Sequence, residues 1–445
     1  MNPKDKDNLK PIYTAALEAV NPGTALRKHL SLEKDYLIVK ENNKATKLNL
    51  KSYKNIYIIG AGKATSPMAK TAEDILGNRI SEGIISVKYD HTLPLKKIKT
   101  IEAGHPLPDL NGFRAAKNIF ELVKKAETDD LIISLLSGGG SSLLPFPPTY
   151  ISLKDKQETT NFLLRCGASI QEINTVRKHL SFIKGGNLSK AAFPATVINF
   201  IISDVIGDRL DTIASGPFFP DQTSFEEAYQ IFAKYHLFDR TSQAVLDYIQ
   251  AGCKGEIEEN PSKNSQFFKK VSNIIIASNL TSLEAAKNKA EELGFDSSIL
   301  SSTIEGETQE AALNFAKEAI KVASVKKSIS SPICLLSGGE TTLEVTGTGL
   351  GGRNLEYCLY SAKYLKGFNN IIITSLGTDG TDGPTDAAGA IVDGSTWQQA
   401  EKIGLNPEIY LKNNDSYNFF KKLNSLVITG PTNTNVMDLQ IALIY

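Results

Sequence analysis

Short runs of uninterrupted apolar residues, each ending abruptly in glycine, serine or aspartate, constrain this chain more than anything else in it. They are Ile56–Ile59, Leu131–Leu136, Val197–Ile202, Ile274–Ala277, Ile333–Leu336 and Ile371–Ser375. A strand with one wet face alternates apolar and polar residues; these runs do not alternate, so both of their faces must be covered. The intervening stretches Ala64–Leu76, Arg114–Ala126, Ser282–Leu293 and Thr308–Val325 carry apolar residues at helical spacing. Buried strands joined by helices make a doubly wound, Rossmann-like parallel sheet, so the expected class is α/β.

At 445 residues the chain is long enough for two such domains. The polar, turn-rich segment Gln222–Ser272 suits a linker, which places one domain at residues 1–240 and the other at 241–445. A first helix that crosses back onto the other domain would move such a boundary by tens of residues. Forty-nine basic residues balance forty-nine acidic ones, so no global field favours nucleic acid or an anionic membrane. The charged start and the lack of a long apolar segment argue against secretion and membrane spanning. Four widely separated cysteines form no CxxC pair, which fits a reducing cytoplasm better than a disulfide framework or a zinc site. A homodimer is left open.

Ligands of open parallel sheets bind beyond the carboxyl ends of the strands. Gly60-Ala61-Gly62-Lys63 follows the first run, where amides at a helix start and a mobile cation could hold phosphate. The turn is shorter than a P-loop and lacks its spacing. Ser137-Gly138-Gly139-Gly140-Ser141 follows the second, its bare backbone free to converge on an anion. Ile333-Cys-Leu-Leu-Ser337-Gly338-Gly339-Glu340 echoes that run about 200 residues later, and is read as a second strand ending in a glycine loop. Arg353 and Asn354 stand just after Gly351-Gly352, at a predicted helix start where the dipole disfavours a cation, so Arg353 reads as an anion contact. Asp204 and Asp379 follow further strands and could hold Mg²⁺ or accept a hydroxyl proton. Arg177, Lys178 and Lys184 are candidate anion contacts in one basic run, and His105 could orient a carboxylate.

Together these motifs resemble the glycerate 2-kinase family whose C-terminal half is the MOFRL domain. The likeness runs through nearly the whole chain, from Gly60-Ala-Gly-Lys-Ala64, Ala103-Gly-His-Pro-Leu-Pro-Asp109 and Leu136-Ser-Gly-Gly-Gly-Ser141 to Gly351-Gly-Arg-Asn354 and Gly377-Thr-Asp-Gly-Thr-Asp-Gly-Pro-Thr-Asp-Ala-Ala-Gly389. Between them lie Ile173-Asn-Thr-Val-Arg-Lys-His-Leu-Ser181, Ser203-Asp204 with Ile213-Ala-Ser-Gly-Pro217, and Leu336-Ser-Gly-Gly-Glu-Thr-Thr342. The resemblance implies two unlike α/β domains around a cleft, the second smaller and with a mixed sheet. It implies transfer of a phosphoryl group from ATP, with Mg²⁺, to the 2-hydroxyl of D-glycerate. Lys63 and Arg353 fall on the family's catalytic lysine and arginine, with Asp379 beside them as a base or metal ligand and Asp204 as a second metal ligand. Gly62, Gly138, Gly139, Gly140, Ser141, Gly338, Gly339 and Glu340 are the expected nucleotide contacts; His105, Arg177, Lys184 and Asn354 are the expected glycerate contacts. Asn187, Arg209, Leu355, Asn433 and Met437 depart from the usual pattern, which bears on substrate preference more than on reaction type. A hydroxypyruvate reductase is the first rival reading, although Gly60-Ala-Gly62-Lys-Ala-Thr65 lacks the third glycine of a dinucleotide turn. A non-catalytic sugar-phosphate-binding regulator is the second.

Overall fold

The computed structural model of the chain describes residues 7–41, 44–325 and 331–445. It divides into two units: one is Ala25–Ser203 with Asp208–Ile276, and the other is the segment up to Thr24, Asp204–Gly207 and Ala277–Tyr445. No helix among the described residues is long and apolar enough to cross a membrane.

The first unit opens with a small antiparallel sheet, β1 (Leu30–Glu33), β2 (Tyr36–Glu41) and β3 (Lys44–Asn49). Its main sheet comprises β4 (Asn55–Ala61), β5 (Glu82–Lys88), β6 (Ile98–Ala103), β7 (Asp130–Leu136), β8 (Thr196–Ile202) and β9 (Val271–Ala277), in the order β6-β5-β4-β7-β8-β9. The ladders from β6 to β8 are all parallel. Every residue of β7 is buried, as the absence of alternation in its sequence requires. The helix Thr65–Leu76 covers the sheet with Met68, Ala69, Ala72 and Leu76, and Leu110–Lys124 does so with Ala115, Ala116, Ile119, Leu122 and Val123. Each leucine or isoleucine fully buried in this way contributes roughly 1.5–3 kcal/mol. From β4 the chain winds outward to β5 and β6, then returns to build β7 and β8 on the other side of β4. The strand order reverses between β4 and β7, and such a switch point leaves a crevice at the carboxyl ends of its two strands.

The segment 222–272 is not a linker. Helices Phe225–Lys234 and Gln243–Cys253 bury Phe225, Ala228, Ile231, Phe232, Val245 and Ile249 against Leu163, Ile173 and Val176 of helices Leu153–Arg165 and Ile170–His179. The charged tail after Cys253 masked that apolar face in the sequence.

The second unit carries a mixed sheet of β10 (Asp296–Ile304), β11 (Ile333–Gly339), β12 (Ile371–Gly377), β13 (Gly389–Asp393), β14 (Leu426–Val427) and β15 (Asp438–Ile444), in the order β10-β11-β15-β12-β13-β14. Only β10 and β11 pair in parallel. The last strand, β15, is inserted between β11 and β12, with all of its residues buried. The N-terminal helix Leu9–Ala19 joins this unit, packing Leu9, Ile12 and Ala16 onto Leu283, Ala286 and Ala290 of helix Asn279–Glu292. The division at Ile276/Ala277, with the first helix crossing over, therefore differs from the 240/241 boundary expected from composition.

Candidate active site

At the switch point the turn after β4 and the turn after β7 are fastened to each other. The amide of Lys63 donates to Gly138 O at 2.9 Å, the amide of Ala64 to Ser137 Oγ at 3.0 Å, and the amide of Ser137 to Ala61 O at 3.1 Å. Gly62 has φ +142°, and a Cβ there would stand 2.6 Å from Ser137 O, so only glycine permits this approach. Gly62→Ala should cost at least about 2 kcal/mol in urea denaturation, because it combines strain with overpacking. The amides of Gly138 and Gly139 donate to no acceptor among the described residues, while the adjoining Gly140 amide is engaged by Ser137 O at 3.3 Å. Lys63, at the mouth of this turn, is half-buried, and its ammonium group pairs with nothing among the described residues.

His105, in the loop after β6, stands over Gly139: a Cβ on that glycine would meet the ring at 2.8 Å. Burial first, then the charges of Lys63, Lys88 and His91, push the imidazole down to about 4. It is therefore neutral near pH 7, able to donate or accept but not to add charge. Ser141 Oγ is bonded to Ser215 Oγ at 2.8 Å, and the Nζ of the buried Lys184 donates to Ser141 O at 3.0 Å and Ala214 O at 3.5 Å, anchoring the far end of the glycine loop. Lys63, Gly138, Gly139, His105, Ser141 and Lys184 thus form one neighbourhood.

In the second unit Arg353 begins the helix Arg353–Tyr364, and the dipole mismatch seen in the sequence is resolved by carboxylates. Arg353 donates from Nε to Asp438 Oδ2 at 2.6 Å, from one terminal nitrogen to Asp438 Oδ1 at 3.0 Å, and from the other to Glu340 Oε1 at 2.5 Å. Burial alone would lower the guanidinium pKa; Asp438 and Glu340 outweigh it and raise it. Asp382, 3% exposed, accepts from the amides of Asn354 at 3.0 Å and Leu355 at 2.8 Å, capping the helix from outside. Asn354, expected to touch substrate, is buried with its side chain fully engaged. Its Nδ2 donates to Asp382 and Asp438, and its Oδ1 accepts from Ser375 Oγ at 2.6 Å, so it orients carboxylates rather than meeting a ligand.

The second Ser-Gly-Gly is not a loop. Ser337, Gly338 and Gly339 lie inside β11, paired with Gln440, Leu439 and Asp438 of β15. Gly338 makes room for the Asn279 side chain and Gly339 for the Ile304 backbone, so the absent side chains serve packing within this unit. Glu340 belongs to the Arg353 ion pair instead. Asp379 Oδ1 accepts from the amide and hydroxyl of Thr381 in a turn after β12, and Asp204 follows the end of β8.

One further carboxyl went unnoticed in the sequence. Glu356, on the same helix as Arg353, is fully buried with neither oxygen in hydrogen-bonding geometry among the described residues. Burial pushes it up to about 7, while the neighbouring Asn414 and Ser416 pull the other way without making up the loss. Below about pH 4.3 the carboxyl is protonated in both folded and unfolded chains; above that, the unfolded chain releases a proton that the folded chain keeps until about pH 7. Wild-type stability should therefore fall with rising pH across this window. Glu356→Gln should be more stable than wild type at pH 8 by on the order of 2–3 kcal/mol in denaturant titrations, the gap closing toward pH 4.

Known proteins match this chain over nearly its whole length. The model of a domain of unknown function (DUF4147) matches residues 8–250, and the MOFRL family model matches residues 333–438. The D-glycerate 2-kinase of Thermotoga maritima is 41% identical over 99% of both chains, and the glycerate 2-kinase of Pyrococcus horikoshii is 40% identical over 96% of this chain and 95% of that one. The chain belongs to the glycerate 2-kinase family. A crystal structure of a glycerate kinase from Thermotoga maritima superposes with a TM-score of 0.88 at 40% identity, covering 99% of this chain and 100% of that one.

Of the residues read from the sequence as departures from the pattern of the glycerate 2-kinase family, each has a describable place in its own unit. Asn187 donates to Ser181 O at 3.1 Å and Asn260 Oδ1 at 2.7 Å, Arg209 pairs with Asp211 at 2.8 Å, and Leu355 is fully buried. Asn433 and Met437 take φ of +59° and +72°, in the left-handed region that glycine and asparagine tolerate best. Lys156 was also missed. A lysine on the stripe shared with Leu153 and Leu163 was the available signal, since a charge on the inward face of a helix calls for a partner.

Proposed function

We propose that this chain is a D-glycerate 2-kinase, transferring the terminal phosphoryl group of ATP to the 2-hydroxyl of D-glycerate to give 2-phosphoglycerate. The observation that carries this reading is the switch-point crevice, where the amides of Gly138 and Gly139 and the ammonium of Lys63, all without a partner among the described residues, share one turn-to-turn contact. Phosphoryl transfer asks for positioning and for dispersal of charge on the migrating group, and amides with a mobile cation supply both. The glycerate hydroxyl oxygen forms the new bond to phosphorus while the bond from phosphorus to the leaving diphosphate breaks, and the hydroxyl proton passes to a carboxylate or solvent. Lys63 balances the charge of the transferred group. Arg353, fixed by Asp438, can meet an anion by exchanging its exposed partner Glu340 for it. Arg177 and Lys184 hold the glycerate carboxylate, and neutral His105 hydrogen-bonds the substrate without adding charge.

Among the described residues no three metal-ligating side chains come together. Mg²⁺ needs no such cluster: it binds through one or two carboxylates and completes its shell with phosphate and water. Asp379 and Asp204 would hold the ion, whose chemistry there is to neutralise phosphate charge.

The reductase alternative needs a glycine at the position of Thr65, where the helix begins. Thr65 is instead buried, its hydroxyl donating to Leu135 O at 3.3 Å. Glycerate-dependent release of ADP, with no oxidation of NADH by hydroxypyruvate, is the expected result in parallel assays. The opposite pair of results would reject the kinase.

A further inference from the structure

A cavity of about 270 Å³ in the first unit is lined by three cations, Lys156, Arg177 and Lys184. Lys156 is buried and donates to the carbonyls of Leu180 and, at 3.4 Å, Arg177, closing the C-terminal end of the helix Ile170–His179. Lys184 is likewise satisfied by carbonyls. Such bonds use the hydrogens of an ammonium group without cancelling its charge. The Arg177 guanidinium donates to nothing among the described residues, and no carboxylate acts on any of the three. Burial, then the neighbouring cations, push Lys156 down to about 7 and Lys184 well below its ordinary value. Arg177 cannot relieve the crowding by losing its proton, because a guanidinium keeps it at any accessible pH. A half-buried arginine beside two buried lysines, with no carboxylate on them among the described residues, forms a site that an anion completes.

The rest of the lining says which anion. Leu107, Pro145 and Leu164 border the same space, and Leu107 and Leu164 are 64% and 55% exposed, so their apolar surface is available. Hydroxyl and amide side chains complete the lining. Inorganic phosphate would leave the apolar surface unmatched, and a three-carbon dihydroxy acid would cover little of it. We infer that this cavity binds the carboxylate of 2-hydroxy acids with chains longer than that of glycerate, the carboxylate on Arg177 and the chain along Leu107, Pro145 and Leu164. This rests on the assignment of Arg177 and Lys184 to the acceptor.

Titration calorimetry on the full chain with D-glycerate, D-2-hydroxybutyrate, D-2-hydroxyvalerate and inorganic phosphate tests it. Binding should tighten from glycerate to hydroxybutyrate, where a methyl replaces a hydroxyl, and about threefold more from hydroxybutyrate to hydroxyvalerate, which adds one methylene. Arg177→Met should weaken every acid at least tenfold, and Arg177→Lys, which keeps the charge and the fold but loses the fork, should weaken them less. Leu164→Ser should flatten the gradient with chain length. Longer acids that bind tenfold more weakly than glycerate, or binding that both Arg177 variants leave unaltered, would overturn the inference. Binding of the longer acids with phosphoryl transfer to none of them, glycerate included, would uphold the cavity and reject the kinase; transfer to glycerate alone, with no binding of longer acids, would do the reverse.

Discussion

Lys63→Ala is expected to lower the turnover of ATP with glycerate by about 100- to 1000-fold, the effect of removing one preorganised charge from a phosphoryl or oxyanion site. The same variant should unfold within about 0.5 kcal/mol of wild type, because the lysine side chain pairs with nothing among the described residues and the turn is held by backbone bonds and Ser137. Its neighbour reports the loss independently. Lys63 is one of the charges that keep His105 near 4, so in Lys63→Ala the His105 ring should titrate at a higher pH by NMR, though still below its ordinary value because burial is the larger cause. A Lys63→Ala enzyme of near-normal rate would remove this residue from the mechanism.

Arg353→Ala is expected to behave differently, and to cost stability as well as rate. Asp438 is 1% exposed and receives two hydrogen bonds from Arg353, so the truncation strands a buried carboxylate. Breaking one side of a buried pair costs about 3–5 kcal/mol, enough to show plainly in urea or thermal unfolding. The double variant Arg353→Met with Asp438→Asn should regain much of that stability, since both charges leave together, while recovering no activity. That split separates the structural duty of the arginine from its chemical one. Asp438 lies 85 residues away, so nothing local in the sequence announces the pairing.

How much could be read from the residues differed between the two halves for physical reasons. Leu131–Leu136 and its neighbours were legible as buried strands because parallel pairing covers both faces, and the turns after β4 and β7 were legible because a strand end in a doubly wound sheet is where glycine and lysine have work. The same reasoning failed at Ser337-Gly338-Gly339. In a parallel sheet those glycines would end the strand; here β15 returns antiparallel beside β11 and continues the ladder through them, and no local pattern foretells a strand supplied from the far end of the chain. Asn354 misled in a similar way, since a polar residue beside an arginine suggests a ligand contact until its partners Asp382, Ser375 and Asp438 are brought in by three separate segments. Phe225–Phe232 reads as helix-like from its residues, but the charged turn after its partner helix made the whole segment look like a linker; Lys156 was hidden by being a single charge among ordinary helix residues.

The central claim is a phosphoryl transfer to one particular hydroxyl. Incubating the full chain with ATP, Mg²⁺ and D-glycerate and identifying the product by phosphorus and proton NMR tests it most directly. The expected result is 2-phosphoglycerate, formed in step with ADP and abolished by Lys63→Ala; exclusive formation of 3-phosphoglycerate, or ADP release that does not depend on glycerate, would contradict it.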